Sequence, residues 1–143
     1  MFITPHFTLD EMTVSQIAAR EGLDNTPTPE ALANLQVLCG ALETIRALFG
    51  APVIVSSGYR SSALNQRIGG SPKSQHVQGL AADFTVIDVS PRDAVRKICG
   101  SDVPFDQLIL EFDRWVHLSV VNGAPRRQVL TIREGTGYLP GLQ

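Results

Sequence analysis

A chain of 143 residues and 15.5 kDa with 43% hydrophobic and 18% charged residues has a globular composition, which excludes an intrinsically disordered chain. Lys and Arg number 12 against 14 Asp and Glu, so the formal charge is -2 and the isoelectric point lies near 5.9. That balance argues against a nucleic-acid partner, which calls for a basic face.

One domain over residues 1–143 is expected, because two cores would each be too small to stand alone. The N-terminus has no basic segment or continuous apolar run. Pro5, His6, Asp10 and Glu11 interrupt it, so no secretory signal is expected and the chain reads as made in the cytoplasm. No apolar stretch reads as approaching the roughly 18 residues that span a bilayer, and no membrane insertion is expected. A monomer is expected.

Thr8 and Glu11 have capping-box spacing and predict a short helix carrying Met12, Val14, Ile17 and Ala18. His6, ahead of it, reads as a surface or capping residue. After the break at Asn25–Pro29, Thr28 caps a helix whose first residue is Pro29. Leu32, Leu35, Leu38, Leu42, Ile45 and Phe49 put one stripe of that helix on a core, and Gly50 closes it. Residues 52–57 predict a strand, and residues 62–67 one helical turn within a Gly- and Ser-rich stretch. Ala81 to Ile87 predicts a second strand, and Ser90-Pro91 starts a helix that stops at Gly100. Cys39 and Cys99 fall in these helices and read as buried core thiols, not as a disulfide framework. Three further apolar runs, 107–112, 115–121 and 128–133, predict mostly hairpin strands, and Glu134 to Gln143 a terminal loop. Helices followed by strands predict an α+β protein with N-terminal helices packed on a small antiparallel sheet.

Two of the three histidines lie near chemistry-bearing neighbours. His76 precedes Gly79 and Asp83; His117 follows Trp115. Two imidazoles and one carboxylate are the donors a catalytic Zn²⁺ takes when it keeps a fourth position for water. A turn at Gly79 into a strand carrying Asp83, with His117 on a later strand, brings the three together. Asp83 sits among Ala81, Ala82 and Phe84, where an unpaired carboxylate is costly.

Ser57-Gly58-Tyr59-Arg60-Ser61, Asn65, Gly69 through His76, Gly79, Ala81, Asp83 and Trp115-Val116-His117 together resemble the M15 zinc peptidase family. Its pattern is similar to SxHxxGxAxD followed by WxH. The resemblance runs from about Phe7 to Leu142, with the motifs concentrated in residues 57 to 119. It implies a hedgehog/DD-peptidase-like zinc peptidase fold with one Zn²⁺ held by His76, Asp83 and His117. It also implies a substrate-facing Arg60 and hydrolysis of peptidoglycan stem peptides. The ion's part would be to acidify water and polarise the scissile carbonyl. Arg60 would grip a substrate carboxylate or the developing oxyanion. Ser74, two residues before His76, is a candidate supporting hydrogen-bonder and substrate contact, and Trp115 a candidate substrate-packing residue.

One departure from the family pattern concerns the general base. Several members carry an acid three positions before the last histidine ligand, where this chain has Arg114. Glu111 and Asp113 are the candidates. A three-residue loop 112–114 sets Glu111 opposite Trp115 and on the face of His117, while Leu108 and Leu110 share the core face with Val116, Leu118 and Val120. That parity favours Glu111, with Asp113 at the rim.

The bond cut, D-Ala-D-Ala at the stem's end or one within it such as L-Ala-D-Glu, stays open. A wall-degrading enzyme without an export signal needs a separate exit route, which suits a phage or prophage lysis protein. Two other readings stand beside the enzyme: a zinc-containing module that binds cell-wall fragments or a partner without cleaving, and a purely structural zinc.

Overall fold

In the computed structural model, which describes residues 1–143, the chain opens as a short hairpin, β1 (Phe2–Thr4) and β2 (Phe7–Thr8). Thr8 then starts α1 (Leu9–Thr13) with the expected capping box: its Oγ1 accepts from Glu11 N at 3.1 Å and Glu11 Oε1 accepts from Thr8 N at 3.0 Å. The single predicted helix is two. Val14 turns to extended backbone, and Ser15 caps a new one, α2 (Gln16–Glu21).

The long helix α3 (Pro29–Phe49) begins at its Thr28 cap and ends at Gly50, whose φ of 61° is the left-handed conformation glycine tolerates. Leu35, Leu38, Leu42 and Ile45 are fully buried, but Leu32, in the first turn, is exposed. An 18-residue window of α3 reaches a mean hydropathy of 1.2. By length and composition alone this helix is apolar enough to cross a bilayer, which corrects the expectation that no stretch would qualify. Here its apolar stripe is covered by the protein's own core.

Six strands form the main sheet: β3 (Val53–Ser57), β4 (Ala81–Val86), β5 (Gln107–Glu111), β6 (Trp115–Ser119), β7 (Gln128–Ile132) and β8 (Leu139–Pro140). Between β3 and β4 lie α4 (Ser62–Arg67) and a 3-10 turn at Gln75–Gln78, and α5 (Pro91–Cys99) joins β4 to β5. The spatial order is β3-β4-β6-β5-β7-β8, so the protein is mixed α+β with a mostly antiparallel sheet. The exception to the predicted hairpins is β7, which runs parallel to β5. Both edges of β6 are taken by β4 and β5, and β6 ends where β5 begins. A next strand laid on the open edge of β5 therefore has to run in the same direction as β5.

Alternation along the strands divides the sheet's two faces. Ala82, Phe84, Val86, Leu108, Leu110, Val116 and Leu118 all point into one core of 25 buried residues shared with α3 and α5. The opposite face is left for polar chemistry. Two smaller expectations are corrected. Cys39 is buried, with burial pushing its thiol up to about 12, but Cys99, the last residue of α5, is exposed. The C-terminal segment is not simply a loop, because Leu139 and Pro140 pair with β7.

Candidate metal centre and active site

Strand register builds the site. Asp83 on β4 lies directly opposite His117 on β6, and His117 lies opposite Ile109 on β5, so the two polar side chains share one rung of the polar face. His117 Nδ1 is 2.9 Å from Asp83 Oδ1. His76 reaches the same oxygen from the 3-10 turn, with its Nε2 3.5 Å away. The two imidazole rings meet edge to face at 5.1 Å.

Local structure fixes His76 before any ligand is present. Ser74 Oγ caps the turn by accepting from His76 N at 3.2 Å, and Gly79 ends it with φ 75°. The Gly58 carbonyl lies 2.7 Å from His76 Nδ1. A carbonyl only accepts, so the proton sits on Nδ1 and the Nε2 lone pair faces Asp83. Backbone oxygens holding the remote nitrogen of a ligating histidine are a recurrent support for metal sites. His76, Asp83 and His117 each offer one ligand atom, and these atoms lie within 4.8 Å of one another. The donor set and its spacing fit a divalent ion of the zinc type.

Charge follows from this packing. Burial alone would raise the Asp83 carboxyl, but the neighbouring imidazoles, His117 first and then His76, outweigh it and hold the group below the usual carboxylate range. The anion is thus ready to meet a cation. Glu111 is shifted the other way: burial raises its pKa, with His117 opposing, the Asp83 charge assisting and a hydrogen bond from Trp115 opposing.

The loop between β5 and β6 places Glu111. Phe112 and Asp113 have φ of 57° and 56°, and Arg114 N donates to the Glu111 carbonyl at 3.0 Å, a tight turn of the primed kind. Glu111 pairs opposite Trp115, as the parity argument requires. Its side chain lines an open cleft of about 600 Å³ that also contains His76, Asp83, His117 and Arg60. Asp113 is not brought there: its carboxylate is ion-paired with Arg133 at 2.9 Å on the surface. Nor does Trp115 line the cleft. It packs on Phe112 and donates from Nε1 to Glu111 Oε1 at 2.7 Å, so it holds the carboxylate in place.

Arg60 is held from several sides. Its backbone N donates to the His76 carbonyl at 3.1 Å, and Asn25 clamps the residues on either side by accepting from Ser61 N and donating to the Tyr59 carbonyl. Its Nε is buried and has no partner within the protein. Burial pulls the guanidinium pKa down, while Asp83 and Glu111 act to raise it. Arg60 lines the cleft, and a donor with nothing to bind within the protein is left to find an oxygen elsewhere. Ser74 lines the same cleft, and His6 lies elsewhere, paired with Glu43 on α3.

Four cleft residues escaped the sequence reading: Lys73, Gln75, Arg126 and Tyr138. Lys73 and Gln75 stand inside the recognised motif stretch, and their residue types gave no reason to single them out. Tyr138 arrives on the segment leading into β8. Burial raises its pKa, followed by the charges of Glu111 and Asp83, so the phenol stays protonated and can donate.

A family model described as Peptidase M15 matches residues 5–119, which covers the whole constellation of His76, Asp83, Glu111 and His117. The chain belongs to that peptidase family. A comparison with curated proteins gave no match.

Proposed function

We propose that this protein is a zinc peptidase that hydrolyses peptide bonds in bacterial peptidoglycan stem peptides, acting as one catalytic domain with a hedgehog/DD-peptidase-like arrangement. The observation that carries the reading is the rung Asp83–His117 with His76 Nε2 turned onto it, beside a carboxylate on the same face of the sheet. When bound there, zinc supplies Lewis acidity toward water and the scissile carbonyl.

The chain's own residues do the rest. Trp115 engages Oε1 of Glu111, which leaves Oε2 to take the proton of the attacking water and deliver it to the departing amine. Burial raises the proton affinity of Glu111 toward the range such a shuttle needs. Arg60, on the cleft wall, offers its guanidinium to a substrate carboxylate or to the oxygen that gains charge. Protonated Tyr138 lines the same cleft and can donate there.

Glu111 supports catalysis over the rival reading of a binding module, since it supplies from β5 the acid that position 114 lacks. Three members in the metal-capable group, with solvent in the cleft above them, favour a catalytic ion over a structural one. Action on the cell wall after release by a phage or prophage lysis system belongs to the same proposal. The test is digestion of purified stem peptide, read by mass spectrometry, with and without chelation and zinc restoration. Zinc-dependent products also identify the bond cut; full activity in zinc-free protein, or none with zinc restored, overturns the reading.

A further inference from the structure

We propose that the end of the cleft around Gln107 is a carboxylate-binding subsite, built from Arg126 and Lys73, that selects acidic peptides; it rests on the peptidase reading and deepens it. Strand register gives the cleft a direction. Gln107, Ile109 and Glu111 share one face of β5, and the Asp83–His117 rung meets that strand at Ile109. Gln107 and Glu111 therefore lie on opposite sides of the rung, each displaced along the strand by roughly 6–7 Å. The proton-transferring group occupies one end. Arg126 and Gln75, both bonded to Asp106 beside Gln107, form walls toward the other, and Lys73, two residues before Gln75, lines the same cleft.

Arg126 is no loose surface side chain. Asp106, whose side chain is 4% exposed, grips it through Nη2 at 2.6 Å and Nε at 3.1 Å, and also accepts from the Arg126 backbone N at 2.9 Å. Nη1 is left with no partner in the protein. Gln75, next to His76 on the 3-10 turn, donates to Asp106 and to the Val120 carbonyl, both at 3.3 Å, and so ties this corner to the candidate metal site. The buried carboxylate and its braces fix a guanidinium edge of this half-exposed arginine in advance, and such preorganisation lowers the cost of binding.

Charge arithmetic points to the ligand. A divalent ion would balance Asp83 and Glu111, and Asp106 balances Arg126. Arg60 and Lys73 then remain as uncompensated cations, Lys73 having no ion pair, so the cleft as a whole attracts an anion. A planar guanidinium edge in a cleft that also holds an ammonium suits a carboxylate. A stem peptide can offer one from its glutamate residue or from its free C-terminus.

Three forms of one stem pentapeptide containing both L-Ala-D-Glu and D-Ala-D-Ala bonds separate these sources: the free acid, the glutamate amide and the C-terminal amide. Affinity is measured by calorimetry on zinc-loaded Glu111→Gln, which holds substrate without turning it over, and kcat/KM on the unaltered enzyme. One amide should bind about tenfold more weakly than the free acid, the loss expected for a charge-assisted hydrogen bond. Lys73→Gln and Arg126→Gln, each combined with Glu111→Gln, should bring that ratio toward one. Arg126→Gln leaves Asp106 without its partner and is checked for folding by circular dichroism; Lys73→Gln alters an exposed, unpaired side chain and decides the matter if the other unfolds. Equal binding of all three forms, or an unchanged ratio in Lys73→Gln, overturns the subsite. If the enzyme cleaves all three equally, only the subsite fails; if it neither binds nor cleaves any, the stem-peptide reading falls with it.

Discussion

Glu111 sits under opposing influences, and each can be removed singly. Burial raises its pKa and the Trp115 indole N–H lowers it. A general base works only when deprotonated, so kcat/KM should fall as pH drops through a value above the ordinary glutamate pKa of about 4.3. Glu111→Gln should lower kcat by about 10²–10⁴-fold while zinc content, read by elemental analysis, is unchanged. Trp115→Phe removes a donor that favours the charged carboxylate, so its acidic limb should move to higher pH. A limb that stays put would deny the indole its positioning role. The clustering of His76, Asp83 and His117 was legible because imidazole is scarce and their motif spacing is tight. The place of Glu111 on the face of His117 was legible through strand parity alone. The hydrogen bond from Trp115 to Glu111 was not, because spacing puts the residue beside the histidine but cannot say which way its indole N–H turns.

Helix ends show the same contrast at the level of elements. Thr8, Thr28 and Ser90 cap where the sequence places them, because a cap is a local hydrogen bond between near neighbours. The hairpin β1–β2 and the strand β8 were not read, since strands of two or three residues carry no measurable alternation. Nor was the parallel β5–β7 pairing, which depends on which sheet edge is vacant and not on composition. Close approach by backbone is equally invisible until the elements meet. A Cβ on Gly79 would come 2.6 Å from the Ala31 carbonyl oxygen, at a backbone φ of 75°. Gly79→Ala should therefore destabilise by roughly 1–3 kcal/mol, seen as a lowered thermal midpoint, and should weaken zinc retention because the turn that carries His76 must shift.

For the molecule as a whole, the buried Asp106 links residues distant in sequence. Its hydrogen bonds with Arg126 hold its pKa down against the effect of burial. A depressed folded pKa stabilises the native state at pH values above the unfolded value of about 3.9, and that contribution is lost as pH falls through the folded value. Asp106→Asn should cost about 2 kcal/mol near neutral pH by weakening charge-assisted bonds, and should flatten the acid side of the stability profile. Chemical denaturation at pH 7 and pH 3 measures both. Zinc should add stability by mass action, about 2.7 kcal/mol at a hundredfold excess over its dissociation constant, so chelation should lower the thermal midpoint.

The residues matched to the family end at Ser119, yet the parallel strand, Arg126 and Tyr138 all come later in the chain. The rung and Glu111 thus come first in the chain, and Arg126 and Tyr138 are added to the same cleft afterwards, from segments on either side of β7. Exchanges confined to residues 122–143 can reshape the lining of the cleft without rewriting the strands that carry the rung and Glu111.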